Sequence, residues 1–391
     1  MSILSGVNVF VACLSLFKFR RSAFLAPIFF ILAYAIYSIL IGRYLFPEIG
    51  LIINEVIDYE YDFLGLLLIF LFTTFLSLQV KEAGSNIYKM VPVDASYKNV
   101  VVSLVCLVVG VSSQFIFSTI IPDSRSGYSP MYEYSIVFYI VSLFYSLNTK
   151  YFKCLVLVVL FLMILRDFSL GHRATATQIS LLIYVLVLSR YYTFKRFLSF
   201  FVIATLLMNS VSIYRRTFSY EFDTFFSELG YLITSKYLAV DTAYFAYVAS
   251  LTFLSVHDMV SFSEIVSDLW NFIVSLVIVG TYGESLYTIS KEYYPHSNGG
   301  ILPLYMFYYF SYFAIPLITT VLAFYFNLIA KGYQSTLKSL IFIYIFVTMP
   351  RWILYAPTQL FRGVSLFFLV VLAVFVFKNL LNILNRNKDI Q

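Results

Sequence analysis

Lys153-Cys-Leu-Val-Leu-Val-Val-Leu-Phe-Leu-Met-Ile-Leu165-Arg166-Asp167-Phe-Ser-Leu-Gly171-His172-Arg173 is the stretch that decides the fold class. Between Lys153 and Arg166 lie twelve uncharged residues with none of the apolar/polar alternation of a barrel strand. Twelve helical residues rise about 18 Å, whereas the hydrocarbon layer of a bilayer is about 30 Å thick. A helix that enters at Lys153 therefore carries Arg166 and Asp167 into the far half of the membrane, and Gly171, His172 and Arg173 to its far rim. Charges at that depth are costly. Arg166 and Asp167 read either as a structural pair or as a functional one. Arg173 follows a glycine that lets backbone or ligand approach closely, which favours a functional role.

The same pattern recurs along the chain. Apolar runs interrupted by charge mark eleven candidate spans: 2–17, 22–42, 63–80, 100–121, 135–147, 154–172, 174–189, 197–213, 302–330, 339–356 and 364–377. Of the 391 residues, 61% are hydrophobic and only 12% charged. Soluble domains run near 25% charged, so this chain cannot cover a water-facing surface. A soluble enzyme, a disordered protein and a nucleic-acid binder are excluded. The expected fold is all-α: a single polytopic transmembrane bundle over 1–391. Cys13, Cys106 and Cys154 lie in apolar runs and suggest neither a disulfide framework nor a metal site. The first apolar run precedes Lys18, Arg20 and Arg21, the reverse of a cleavable signal peptide.

Basic residues set the orientation. Placing 18–21, 81–99, 148–153, 190–196, 331–338 and the C-terminal tail inside gathers 16 of the 26 lysines and arginines but three of the 20 acids. The C-terminus is then cytoplasmic and the N-terminus outside. Residues 214–301 form one long connection with both ends outside, and loops of that length are usually functional. Its apolar stretches 237–256 and 269–280 either lie in the interface or re-enter from outside. Crossing fully would place His257, Asp258, Glu264 and Asp268 inside without a basic neighbour. Phe218, Phe222, Phe225, Phe226 and Leu229 fall on one face of an amphipathic helix. Ser261-Phe-Ser-Glu264 has the spacing of a capping box.

Ten basic residues remain outside, and eight are arginine: Arg43, Arg125, Arg166, Arg173, Arg215, Arg216, Arg351 and Arg362. Guanidinium forks hold phosphate oxygens bidentately and stay charged when partly desolvated. An outer arginine set at bilayer depth suits a lipid-linked diphosphate; for any one arginine a salt bridge to an outer acid is the plainer reading. A second constellation is Gly280-Thr-Tyr-Gly-Glu284, then Lys291-Glu292-Tyr293-Tyr294-Pro295-His296-Ser-Asn298-Gly-Gly300. Here His296 and Glu292 offer acid–base chemistry, and Tyr293 and Tyr294 offer faces for sugars. An ordinary Gly/Pro/Asn turn explains the same residues. The acids Glu55, Asp58, Glu60 and Asp62 read as a solvated outer loop before they read as a cation site.

These residues resemble the bacterial O-antigen polymerase (Wzy-type) and oligosaccharide repeat-unit polymerase families. Three features carry the likeness: Gly171-His172-Arg173 opening a span, Arg215-Arg216 opening the large outer loop, and His296-Ser-Asn298 before an aromatic helix with Tyr305. Related O-antigen ligases usually show a His-Asn pair, from which Ser297 departs. The resemblance implies a metal-independent, cofactor-free glycosyltransferase of C-type architecture. It joins undecaprenyl-diphosphate-linked oligosaccharides at the periplasmic face of the bacterial inner membrane. Arg173, Arg215, Arg216 and Arg351 would clamp the diphosphate, with Arg362 and Glu284 in reserve. His296 and Glu292 would activate the acceptor hydroxyl, and Tyr293 and Asn298 would contact sugar. The bilayer is an implied partner, a chain-length regulator protein is compatible with it, and nucleic acid is not. Three alternatives stand beside this: a polysaccharide flippase or transporter, a polyprenyl-phosphate-dependent glycosyltransferase, and an O-antigen ligase.

Overall fold

The computed structural model describes residues 2–45, 59–81, 94–116, 130–169, 173–204, 241–277, 286–293, 299–330 and 335–388. No strand occurs among them. In chain order the helices are α1 (Ser2–Lys18), α2 (Leu25–Leu45), α3 (Tyr59–Gln79), α4 (Tyr97–Ile116), α5 (Pro130–Ser146), α6 (Lys150–Ser169) and α7 (Arg173–Ile183). A helical stretch over 194–204 is α8. There follow α9 (Asp241–Met259), α10 (Phe262–Val277), α11 (Leu286–Tyr293), α12 (Leu302–Phe310), α13 (Ala314–Ala330), α14 (Thr336–Leu354) and α15 (Thr358–Lys388).

This is a helical membrane protein. Among the described residues, six helical stretches are long and apolar enough to cross a bilayer: Glu60–Gln79, Tyr97–Ile116, Ala174–Tyr191, Leu302–Asn327, Thr336–Leu354 and Thr358–Leu380. Each matches an apolar run of the sequence. Ile3–Lys18, Leu25–Leu40 and Tyr134–Ser146 are apolar but shorter. The run 154–172 is described to Ser169, where it is helical as part of α6, a helix that also holds Lys150 and Lys153 and carries Arg166 and Asp167 near its end. The run 197–213 is described only to residue 204.

The core is largely apolar, but α4 also buries polar side chains while its outer face is apolar. On α4 the buried face holds Asn99, Ser103, Gly110 and Gln114. The exposed face holds Leu104, Val105, Val108, Phe115 and Ile116. Water would reverse that distribution; lipid tails accept it, and polar side chains then bond within the protein. Buried hydroxyls accordingly donate to carbonyls one turn back: Ser15 to Val11, Thr73 to Ile69, Ser250 to Ala246 and Thr348 to Tyr344.

The chain divides into two compact units. The first comprises 1–85, 192–331 and 349–362. In it α1 and α3 run parallel, joined by Asn8 Nδ2 to the Leu66 carbonyl (3.0 Å) and Lys18 Nζ to the Ser77 carbonyl (2.6 Å). Asn327 of α13 closes the end of α3. It donates to the Gln79 carbonyl at 2.9 Å and accepts the Lys81 N–H at 2.8 Å. These bonds satisfy groups that a helix terminus otherwise leaves open.

The second unit comprises 86–191, 332–348 and 363–391. There Ser103 Oγ of α4 donates to the Ser142 carbonyl of α5 at 2.7 Å. A Cβ at Gly110 would come within 2.8 Å of the Tyr139 ring, so the glycine permits this close approach. After α7 the chain passes through a π turn at Tyr184–Leu188.

Two features of the first unit depart from plain spans. The run 302–330 is broken: α12 ends at Phe310, and Ser311 has φ 49°, in the left-handed region. Pro316 explains the position, because its ring clashes with a carbonyl four residues earlier, at Tyr312, in a continuous helix. Tyr312 and Phe313 of the broken turn are exposed. The other feature is α9. The sequence allowed 237–256 to lie in the interface or to re-enter; α9 runs alongside the neighbouring helices rather than across their ends. Tyr247 meets Asp62, while Leu251 lies over Gly65 further along α3. Ser250 meets Ile301, while His257 meets Tyr308 further along α12. So α9 is parallel to both. Its companion α10 returns antiparallel, with Asp268 bonded to Tyr308 and Phe272 against Tyr305.

Candidate functional site

The structure joins Gly299 and Gly300 to a loop far away in sequence. Gly299-Gly300 packs on the loop between α14 and α15 that the sequence framed with Arg351 and Arg362. Gly300 N–H donates to the Tyr355 carbonyl at 3.0 Å. Gly299 has φ +147°, where L side chains are strained, and its Cα faces Ala246 of α9 and the Tyr355 ring. Ile301 N–H donates to Ser250 Oγ at 2.6 Å. The opening of α12 is thus held by α9 on one side and by the α14–α15 loop on the other.

That loop has its own local logic. The last turn of α14 widens, with the N–H groups of both Tyr355 and Ala356 donating to the Arg351 carbonyl at 2.9 and 2.7 Å. Pro357 then stops the helix and precedes the first residue of α15. Gln359 and Leu360 close that first turn through the Ala356 and Pro357 carbonyls. Trp352 is buried and anchors the end of α14. Arg351 is half-buried, its guanidinium 5.9 Å from the Tyr355 ring centre, and Arg362 is half-buried in the second turn of α15. The residue whose carbonyl receives Gly300 is therefore the one whose ring lies beside Arg351. A guanidinium fork matches the bidentate geometry of phosphate oxygens.

Beneath lies an aromatic cluster. Phe272 of α10 stacks on Tyr309 at 5.4 Å and meets Tyr305 at 6.1 Å and Phe361 at 5.6 Å. Tyr305, part of the sequence resemblance, is 1% exposed and belongs to this core. Further along, Tyr308 Oη donates to Asp268 Oδ2 at 2.6 Å, and His257 Nδ1–H donates to the Tyr308 carbonyl at 2.9 Å. Ser261 and Glu264 at the α9–α10 turn form the expected capping box. Ser261 N–H donates to Glu264 Oε2 at 2.7 Å, and Glu264 N–H to Ser261 Oγ at 3.4 Å.

Other predicted residues are placed less fully. Glu292 and Tyr293 end α11. Arg173 opens α7, in the second unit, whereas Arg351 and Arg362 belong to the first. His296, Asn298, Arg215, Arg216 and Glu284 lie outside the described residues, as do the helix expected at 218–229 and the acids Glu55 and Asp58. Of the acids expected in the first outer loop, Glu60 and Asp62 instead lie in the first turn of α3: Asp62 is engaged by Tyr247, whose Oη donates to its Oδ1 at 2.5 Å, and Glu60 is exposed.

The most highly organised polar cluster is one the sequence pointed to only through Arg166 and Asp167. Asp167 is fully buried. Gln114 Nε2 of α4 donates to both its carboxylate oxygens at 2.8 Å. Tyr132 Oη of α5 donates to Oδ1 at 2.5 Å, and Thr175 Oγ1 of α7 to Oδ2. Tyr139 Oη donates to Gln114 Oε1. Arg166 Nη1 stands 3.6 Å from Oδ1, with its guanidinium 4.3 Å from the Phe115 ring centre. The available signal was Gln114, which shares the buried face of α4 with the polar residues Asn99 and Ser103.

No protein-family model, curated protein or solved structure matches the chain.

Proposed function

We propose that this chain is a polymerase that joins undecaprenyl-diphosphate-linked oligosaccharide repeat units into O-antigen or a similar surface polysaccharide, at the periplasmic face of the bacterial inner membrane. The observation that carries the reading is the bond from Gly300 to Tyr355. It ties Gly300, four residues after His296 in the sequence, to the loop framed by Arg351 and Arg362, and so supports a reading in which an acid–base group and a diphosphate clamp work together. In the reaction, a hydroxyl of the incoming lipid-linked unit attacks the anomeric carbon of the donor chain. The new glycosidic bond forms as the anomeric C–O bond to the diphosphate breaks. The hydroxyl proton passes to His296 or Glu292, and undecaprenyl diphosphate departs. Negative charge develops on that leaving group, so fixed guanidinium groups of Arg173, Arg215, Arg216 and Arg351 lower the barrier. Arg362 would add to the clamp, and Tyr293 and Asn298 would orient sugar.

A second reading, transport of a lipid-linked or soluble anionic substrate, is favoured by the break in the 302–327 span and by the α9–α10 hairpin beside it. Discontinuous helices are the usual scaffold of transporter sites. The surface glycan of a deletion strain separates the two. A polymerase mutant leaves a single repeat unit on its acceptor. A flippase or ligase mutant leaves none, and that result removes the polymerase reading.

A further inference from the structure

Asp167 places a carboxyl group in the buried interior of the second unit, where a carboxylate without partners is very costly. It is kept by donors from three other helices: Gln114 on α4, Tyr132 on α5 and Thr175 on α7. Gln114 is itself oriented by Tyr139, whose hydroxyl fills its carbonyl oxygen. Both carboxylate oxygens are thus occupied by side chains whose own positions are set by packing: Tyr132 is 2% exposed, Tyr139 and Gln114 are fully buried, and Thr175 is 3% exposed. An acceptor so surrounded is poorly suited to hold a ligand and well suited to fix geometry.

What it fixes is the start of α7. Thr175 is the third residue of that helix, and Arg173 the first. The bond from Thr175 to Asp167 links the end of α6 to the first turn of α7 over eight residues of chain. It pins that turn to a carboxylate that α4 and α5 also hold. We propose that Asp167 is a positioning residue: through Thr175 it sets the first turn of α7, and so the place from which Arg173 acts. Arg166 serves as its counter-charge. The inference about Arg173 rests on the polymerase reading above; the clasp itself does not.

The two are tested together. A nitroxide is attached at Ala174→Cys, an exposed position in the same turn. Its mobility is read by electron paramagnetic resonance in purified protein, alongside kcat and KM for a lipid-diphosphate-linked repeat unit. Thr175→Val, near-isosteric but without the hydroxyl, should loosen the label and lower kcat about 100-fold with KM little changed, the usual size of a misplacement effect. Thr175→Ser should restore both. Should the valine variant not accumulate, Thr175→Ala carries the same expectation. An unchanged label in a folded valine or alanine variant overturns the clasp. A loosened label with unaltered kcat keeps the clasp and overturns its role in positioning Arg173. A loosened label, in protein whose parent elongates nothing, keeps the clasp and removes the polymerase reading instead.

Discussion

The backbone N–H of Gly300 and the carbonyl of Tyr355 meet at 3.0 Å, joining residues 55 positions apart. The contact depends on Gly299 turning the chain at φ +147° between Ala246 and Tyr355.

Gly299→Ala is therefore expected to lower stability by about 1–3 kcal/mol through backbone strain, although its Cβ would meet neighbours only at 3.5 Å. Gly6 is the control. It lies within α1, and a Cβ added there would meet nothing within 4 Å, so Gly6→Ala should be neutral or stabilising by up to about 1 kcal/mol. Thermal unfolding in detergent measures both; equal shifts would show that the turn at Gly299 bears no strain.

In the second unit, a Cβ at Gly363 would fall 1.8 Å from Tyr344 Oη. The Tyr344 ring cannot swing aside freely, because it stacks on Phe367 at 4.9 Å. Gly363→Ala should cost about 1–3 kcal/mol by overpacking. Tyr344→Phe removes the clashing oxygen and should recover part of that loss. A double-mutant cycle with no coupling between the two positions refutes the contact.

The register of α9 makes a topological prediction. Met259, the last residue of α9, lies eight residues beyond Leu251, the neighbour of Gly65, so the hairpin reaches about 12 Å past Gly65. From Gly65, α3 continues fourteen residues to Gln79, about 21 Å. The α9–α10 turn thus stops alongside α3, well short of its end. A cysteine at 263 should resist an impermeant maleimide applied to whichever face labels a cysteine at the exposed Lys291. Equal labelling of 263 and 291 from one face would place the hairpin outside the helical layer.

If arginines neutralise the leaving diphosphate, Arg351→Ala and Arg173→Ala should each abolish polymer while the protein stays in the membrane. Lysine at either position should rescue poorly, since a point charge lacks the bidentate fork. Elongation of a lipid-diphosphate-linked repeat unit should also persist in excess EDTA. It should survive joint neutralisation of Asp58, Glu60 and Asp62. Activity lost in EDTA and restored by magnesium or manganese refutes the clamp and promotes a transferase whose base or cation site lies in the first outer loop.

What the sequence determined is the helical membrane class and the position of most helices. Low charge and long apolar runs admit only segments that bond their own backbone, and each charged interruption marks an end. The capping box at Ser261 and Glu264 was equally legible, because its partners are three residues apart. Tertiary structure alone decided the rest. Nothing local distinguishes α9, which packs beside α3 through Tyr247 and Leu251, from an apolar helix lying in the interface; only the complementary Gly65 and Asp62 surfaces do. Nor does spacing bring Gln114, Tyr132 and Thr175 to Asp167, or Gly300 to Tyr355. A bilayer rewards every apolar helix alike, so partners are chosen by glycine contacts and buried polar bonds, which pair residues across tens of positions.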